Sequence, residues 1–258
     1  MTPYYEHGGI TIYHGDCLDV LASLPSCFRV DITVSSPPYN TISSTSAGGM
    51  MRESNHKQLG GYLSHSDDMP EDEYQSWMVN VFTICRDRTL GLVWINHKTR
   101  YRDKAGVHPL SIFPWPFYSE VIWDRGVSIT LNASKFAPSH EFIYGFGVPH
   151  WWNNAANTLM SVWRINPERN VPDHPCPFPI AIALRCIDAS CPPAGTVLDP
   201  FMGSGTTLLA AKHLGRKAIG IELEERYCEI AAKRLAQEVF DFTPPEPQPT
   251  QAPIEETP

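Results

Sequence analysis

The sequence predicts an α/β fold in which a mostly parallel sheet is covered by helices on both faces. Three observations carry that expectation. Short runs rich in β-branched and aromatic residues alternate with segments of helical periodicity. One such run, at 196–198, passes through a glycine turn straight into a helical pattern. The following run, at 217–221, is succeeded at once by an acidic residue, Glu222.

Strand-like runs occur at 9–14, 31–35, 92–96, 120–123, 141–146, 196–198 and 217–221. The first helical stripe is Tyr74, Trp77, Met78, Val81 and Cys85, behind an acidic start signal around Pro70. A second helix is predicted over 206–214, ended by Gly215 at its C-terminal cap. A third runs from about 224 to 239, with Tyr227, Ile230, Ala231, Leu235 and Val239 on one face. Three stretches break the alternation. Residues 40–68 form a long segment of Ser, Thr, Gly, His and Met. Residues 148–173 carry Trp151, Trp152, Trp163, Arg164 and Arg169 with little periodicity. Residues 243–258 are Pro-rich and polar, and disorder is expected there. The expected organisation is one domain over 1–242, holding a short insert at 148–173, followed by that tail.

With 42% hydrophobic residues in 258, the chain can bury a full core. No run approaches the roughly 20 apolar residues of a membrane span, and the opening residues lack the pattern of a secretory signal. The seven cysteines show no C-x2-C pair, so they are expected to be reduced thiols in a cytoplasmic protein, with no metal site. A net charge of −8 argues against a polyanion partner only on average. Arg86, Arg88, Lys98, Arg100, Arg102 and Lys104 crowd a segment with only Asp87 and Asp103 to offset them, and a local basic patch suffices to bind phosphates. On charge alone, a solvated surface stretch explains the same cluster.

Two motifs carry chemistry. In Leu198-Asp199-Pro200-Phe201-Met202-Gly203-Ser204-Gly205-Thr206-Thr207, glycines sit between strand and helix, where backbone must come close to a ligand. Glu222 follows at the spacing of an acid that binds ribose hydroxyls. In Ser36-Pro37-Pro38-Tyr39, two prolines fix φ and leave carbonyl acceptors in a stiff turn after a buried-type strand. An amino group offers two N–H donors, and a backbone carbonyl plus the Ser36 hydroxyl would accept both. Tyr39 adds a ring on which a base can stack. Taken singly, each motif has a bland reading: a tight turn, or a proline turn beside a buried tyrosine.

Together the motifs resemble the amino-methyltransferases of DNA, and other segments match in order. Gly15-Asp16-Cys17 resembles the family's Gly-Asp motif, whose acid meets the cofactor's adenine. Ile122-Trp123-Asp124, the run from Glu141 to Phe146, and His174-Pro175-Cys176-Pro177-Phe178-Pro179 resemble later family segments; the last precedes a helix beside the cofactor's methionine moiety. Ser-Pro-Pro-Tyr comes before Asp-Pro-Phe-x-Gly-Ser-Gly, the order of the β group. The resemblance covers roughly 11 to 237. It implies a permuted Rossmann-like, mostly parallel seven-stranded sheet with one antiparallel strand. It also implies S-adenosyl-L-methionine as cofactor and double-stranded DNA as partner, and leaves open a cognate restriction endonuclease and a homodimer. The cofactor set it implies is Asp16, Cys17, His174, Phe178, Asp199, Pro200, Phe201, Gly203, Ser204, Gly205, Thr206 and Glu222. The catalytic set is Ser36, Pro37, Pro38 and Tyr39. Lys98, Arg100, Arg102, Arg164 and Arg169 are the expected DNA contacts. Ser-Pro-Pro-Tyr favours cytosine N4 as the methylated amine, with adenine N6 the alternative. A protein or RNA methyltransferase is the nearest rival, against which the motif order argues. The Gly-Pro-Pro-Cys context of a C5-cytosine nucleophile is absent around Cys176.

Overall fold

The computed structural model describes residues 1–40, 69–102, 105–126, 136–167 and 178–236. The centre of the molecule is a sheet of nine strands. In chain order these are β1 (Tyr5–His7), β2 (Ile10–His14), β3 (Ile32–Ser35), β4 (Val93–His97), β7 (Phe117–Asp124), β8 (His140–Phe146), β9 (Val162–Arg164), β10 (Thr196–Asp199) and β11 (Lys217–Glu222). A separate ribbon pairs β5 (Arg100–Arg102) with β6 (Ala105–Val107). The helices are α1 (Cys17–Ser23), α2 (Glu71–Arg88), α3 (Ile180–Ser190), α4 (Thr206–His213) and α5 (Glu225–Ala236).

The spatial order is β1-β2-β11-β10-β3-β4-β8-β7-β9. From β2 to β4 every pairing is parallel, and β8 alone runs against its neighbours β4 and β7. These seven strands match the expected sheet. Two more extend its edges: β1, an antiparallel hairpin strand on β2, and β9, which joins β7 in parallel. The segment that lacked periodicity in sequence thus supplies a strand of three residues, too short to show a period.

Alternation along the strands sorts the core into two layers. On β4, Trp94 faces one layer with Val34, Ile182, Leu208 and Ala231, while Val93 and Ile95 face the other with Tyr74, Met78, Val81 and Phe82. Helices α3, α4 and α5 cover the first face, and α1 and α2 the second. Trp163 is buried, donates its indole N–H to the Met160 carbonyl at 2.7 Å and lies under Arg185, and Trp152 packs against the same layer. Both are packing residues.

Because β3 leads through α2 to β4 on one side, and β10 through α4 to β11 on the other, the chain diverges between β3 and β10. Ligands bind at the carboxyl ends of strands at such a divergence. Ser35, His97, Asp199, Glu222 and His14 are the last residues of five of these strands, so they line one edge of the sheet.

Gly205 begins α4 with φ of +81°, and a Cβ there would meet the Ala231 side chain at 2.8 Å. Replacing it by Ala adds left-handed strain of about 1–2 kcal/mol to that overlap. Differential scanning calorimetry of Gly205→Ala should therefore show a melting temperature lower by roughly 2–8 °C; an unchanged value would mean that α4 and α5 move apart freely.

Candidate functional site

The glycine turn is built by two carboxylates. Asp199 accepts from the Ser35 hydroxyl at 2.7 Å and from the Phe201 amide at 3.0 Å, which curls the chain out of β10. Burial raises its pKa to about 6, and the bonds from Ser35, Thr207 and the Phe201 amide oppose that rise. Glu222 accepts from the Gly203 amide at 2.9 Å through one oxygen and from the Glu224 amide at 2.9 Å through the other. Burial raises its pKa to about 7 against those two bonds. A carboxylate has about four lone-pair sites, so two amides leave acceptor capacity for hydroxyl groups. Pro200 is buried, and Phe201 packs against Trp77 and Phe82 of α2, with centroids 5.4 and 6.0 Å apart.

Asp16 caps α1, its Oδ1 accepting from the Leu18 amide at 2.8 Å, and Gly15 donates to the Glu222 carbonyl at 2.9 Å, so Asp16 lies beside Glu222 at the sheet edge. The Cys17 thiol is buried and pushed up to about 12, chiefly by burial and then by Asp16. It is a packing group and not a nucleophile. Phe178 is half-buried against the core just before α3. His174, Cys176 and Arg169 lie outside the described residues.

The hydroxyls of two expected cofactor contacts are engaged within the protein. Ser204 and Thr206 are buried, and their hydroxyls face α5, where Arg234 donates to the Ser204 hydroxyl at 3.0 Å, the Thr206 hydroxyl at 3.4 Å and the Ser204 carbonyl at 2.6 Å. Those side chains brace the loop from behind. Gly203, with φ of +52°, keeps the turn open on the ligand side.

Across the divergence, the proline turn is clamped from both ends. Tyr74 donates to the Pro38 carbonyl at 2.7 Å and also contacts His97 Nε2 at 2.9 Å. The Lys98 carbonyl, 2.9 Å from His97 Nδ1, can only accept, which places the His97 proton on Nδ1 and leaves Nε2 an acceptor, so the single Tyr74 proton is shared between Nε2 and the Pro38 carbonyl. Burial lowers the pKa of His97 to about 3, so the ring is neutral at working pH. Asn40, with φ of +52°, exchanges two side-chain hydrogen bonds with the Met69 backbone at 2.8 and 2.9 Å. Pro37 is buried between these clamps.

The Tyr39 ring lies 4.8 Å from the His97 ring, with the Lys98 ammonium 4.9 Å from its centroid. Its hydroxyl meets Asn96 Oδ1 at 2.7 Å, Glu141 Oε2 at 3.0 Å and the Ser36 hydroxyl at 3.0 Å. Asn96 is held by donating to the Phe142 carbonyl at 3.0 Å. Asn96, Glu141, His97 and Tyr74 were invisible as site residues in the sequence. Their strand or helix positions are ordinary, and only sheet pairing brings residues 36, 96 and 141 together. The one available signal was a polar residue within an otherwise apolar strand run, Asn96.

The basic cluster divides. Lys98 and Arg164 stand at the carboxyl ends of β4 and β9, on the same edge as the turn, and Arg164 is exposed. Arg100 does not face outward as expected. Its guanidinium, 2% exposed, pairs with both oxygens of Glu71 at 2.7 Å and covers the Tyr74 ring at 4.5 Å. Arg102 bonds Glu71 at 3.3 Å and also donates to the Asn40 carbonyl. A carboxylate from the first turn of α2 therefore converts two expected phosphate contacts into braces of the proline turn. Burial tends to raise the pKa of Glu71, but hydrogen bonds from Arg100, Gln75 and Arg102 outweigh it and hold the carboxyl below its ordinary range. Among the described residues no cluster of metal-ligating side chains occurs.

Residues 30–233 match the family model described as DNA methylase. The chain is 31% identical to the Type II methyltransferase M.ScaI of Streptomyces caespitosus, over 92% of this chain and 84% of that protein. It is 26% identical to M.HinfI of Haemophilus influenzae, over 88% and 68%. Among solved structures it resembles the cytosine-N4-specific PvuII DNA methyltransferase at a TM-score of 0.70, with 17% identity and 91% and 89% of the two chains covered. A Thermus thermophilus protein assigned as a DNA modification methylase, solved with S-adenosyl-L-methionine, matches at 0.58, with 25% identity over 90% and 96%.

Replacing Glu71 by Gln strands the buried Arg100 charge, a loss of about 3 kcal/mol when a buried pair is broken from one side. Urea unfolding of Glu71→Gln should show that loss. Stability equal to the parent would mean that Arg100 swings out to solvent.

Proposed function

Since the chain belongs to the DNA methylase family, we propose that it transfers a methyl group from S-adenosyl-L-methionine to the exocyclic amine of a flipped DNA base, with cytosine N4 as the target. The observation that carries the choice of amine is the Ser36-Pro37-Pro38-Tyr39 turn at the divergence of the sheet, next in the chain to Ser35, whose hydroxyl lies 2.7 Å from the carboxylate that shapes the glycine turn. The match to a cytosine-N4-specific enzyme supports the choice of base.

When bound, S-adenosyl-L-methionine supplies a methyl group already activated on a sulfonium. The residues present suit it. Glu222 has acceptor capacity left for the ribose hydroxyls, Asp16 stands next to it for the adenine, and Gly203 with Gly205 leaves the turn bare of side chains. Phe201 and Phe178 offer apolar surface on either side.

The protein's own task is alignment. Tyr74 already contacts the Pro38 carbonyl, and we assign the Pro37 carbonyl as acceptor for one amine proton and the Ser36 hydroxyl as acceptor for the other. Accepting both protons localises the nitrogen lone pair that ring conjugation otherwise withdraws. A base inside a duplex is out of reach, so the target is flipped onto the Tyr39 ring, whose hydroxyl is pinned by Asn96 and Glu141. Lys98 and Arg164 flank this edge and contact DNA. Arg169 shares that role in the recognition segment 148–173.

Purified protein, labelled S-adenosyl-L-methionine and duplexes containing a single candidate base test this reading. Methyl transfer is expected only where cytosine is present. Tyr39→Ala should keep cofactor affinity and lose roughly 100-fold in transfer rate, the scale of a lost alignment. Transfer to adenine alone would move the target to N6, and full activity of a folded Tyr39→Ala would refute the pocket.

Glu222 adds a pH signature. Ribose hydroxyls donate to its charged form, whereas burial holds the carboxyl near pKa 7 in the free protein. Cofactor affinity should therefore rise with pH up to about 7 and level off above it, falling by up to about tenfold per unit below. Calorimetric titration between pH 5 and 8 measures this, and a flat profile would take Glu222 out of the ribose contact.

A further inference from the structure

The reaction leaves a proton to be removed, and among the described residues the carboxylate of Glu141 contacts the target turn. Glu141, the second residue of β8, pairs with Trp123 of β7 and is buried. Its Oε2 accepts from the Tyr39 hydroxyl at 3.0 Å, and its Oε1 accepts from Arg125 Nη1 at 3.0 Å. The Tyr39 hydroxyl is also 3.0 Å from the Ser36 hydroxyl, so Ser36, Tyr39 and Glu141 form an unbroken line of hydrogen bonds. Arg125, 26% exposed, faces the solvent end of that line.

We propose that Glu141 is the terminal acceptor of the proton released by the methylated amine, reached through Ser36 and Tyr39. The inference rests on the proposed amine methylation. As the amine nitrogen forms its bond to the methyl carbon, the carbon–sulfur bond breaks and its electron pair stays on sulfur. The nitrogen, now carrying positive charge, passes a proton to the Ser36 oxygen. Ser36 passes its own proton to the Tyr39 oxygen, and Tyr39 passes its proton to Glu141. The amine ends neutral, both hydroxyls are restored, and the carboxylate ends as a carboxylic acid that re-equilibrates with water past Arg125.

The surroundings support a carboxylate in this role. Charged or titratable groups facing the line are Arg125 after β7, His97 and Lys98 at the end of β4, and Tyr39 itself. His97 is neutral, and its Nε2 is engaged by Tyr74. Lys98 lies over the Tyr39 ring and is a donor only. Asn96, a further partner of Tyr39, has an amide oxygen that steers the hydroxyls but takes no proton at working pH. Among the described residues of the line, Glu141 is the group able to take up the proton.

The test is a single-turnover methylation rate across pH 5.5 to 9. Cofactor affinity and the fluorescence of a flipped base analogue are measured beside it. Glu141→Gln should lose roughly 100-fold at neutral pH, the scale of general acid–base catalysis. Its rate should climb with pH as hydroxide takes over, with cofactor affinity and base flipping unchanged. Arg125→Gln, at a more exposed position, should lower the rate less than Glu141→Gln with cofactor affinity and base flipping unchanged, and it stands in if Glu141→Gln fails to fold. In the protein alone, the NMR signal of the Tyr39 phenol carbon should shift in Glu141→Gln, because the acceptor of its hydroxyl changes from a carboxylate to an amide. Wild-type rates and pH profile in Glu141→Gln, or joint loss of rate, affinity and flipping, would overturn the relay and leave the methyltransferase reading intact. If wild-type protein methylates no duplex, that reading fails instead, while the phenol signal still reports on the bond between Tyr39 and Glu141.

Discussion

One buried hydrogen bond joins the two functional halves of this molecule. Ser35 closes β3 and Asp199 closes β10, and the hydroxyl of one donates to the carboxylate of the other at 2.7 Å. The residue after Ser35 begins the proline turn, and the residues after Asp199 make the glycine turn. Neither turn is itself regular secondary structure, and this bond, with the pairing of β3 and β10, ties the strand ends from which both start. A carboxylate this deeply buried is costly unless its lone pairs are filled, and Ser35, Phe201 and Thr207 fill them. Those bonds fix the Asp199 carboxylate at the junction of the two turns.

The same logic applies to the arginines around the two turns. Arg100, Arg102 and Arg234 serve the inside of the protein. They neutralise Glu71, hold the Asn40 carbonyl and stitch Ser204 and Thr206 to α5. Long guanidinium forks suit this work because each supplies several donors in fixed directions. The cations left at the sheet edge are fewer, and they flank the proline turn. Under the proposed reading, phosphate attraction is concentrated where a base must be extracted.

Much of the fold was legible in the sequence because its signals are local. Runs such as 92–96 and 217–221 carry the apolar, β-branched character of buried strands, and they coincide with β4 and β11 to within a residue. Helix α2 shows a clear stripe, and the two turns announce themselves by glycine and proline. What escaped were contacts set by pairing across the sheet. Residues 96 and 141 meet Tyr39 only because β8 lies antiparallel beside β4, with Asn96 opposite Ile143. No local pattern encodes that register. For the same reason Arg100 looked like a surface cation, since the Glu71 that buries it lies 29 positions away. Strand β9 was missed because three residues cannot display a period, and α1 because its stripe spans barely two turns.

The central claim is that the bond between β3 and β10 sets the distance between methyl donor and target amine. Ser35→Ala removes one donor and leaves Asp199 its bonds to Phe201 and Thr207. The decisive measurement is the single-turnover methyl transfer rate of that variant, taken with its affinities for S-adenosyl-L-methionine and for DNA. The account predicts both affinities within a few-fold of the parent and a transfer rate lower by about 10–100-fold, because each half still binds but the two are no longer aligned. A folded Ser35→Ala protein that transfers methyl groups at the parental rate would contradict it.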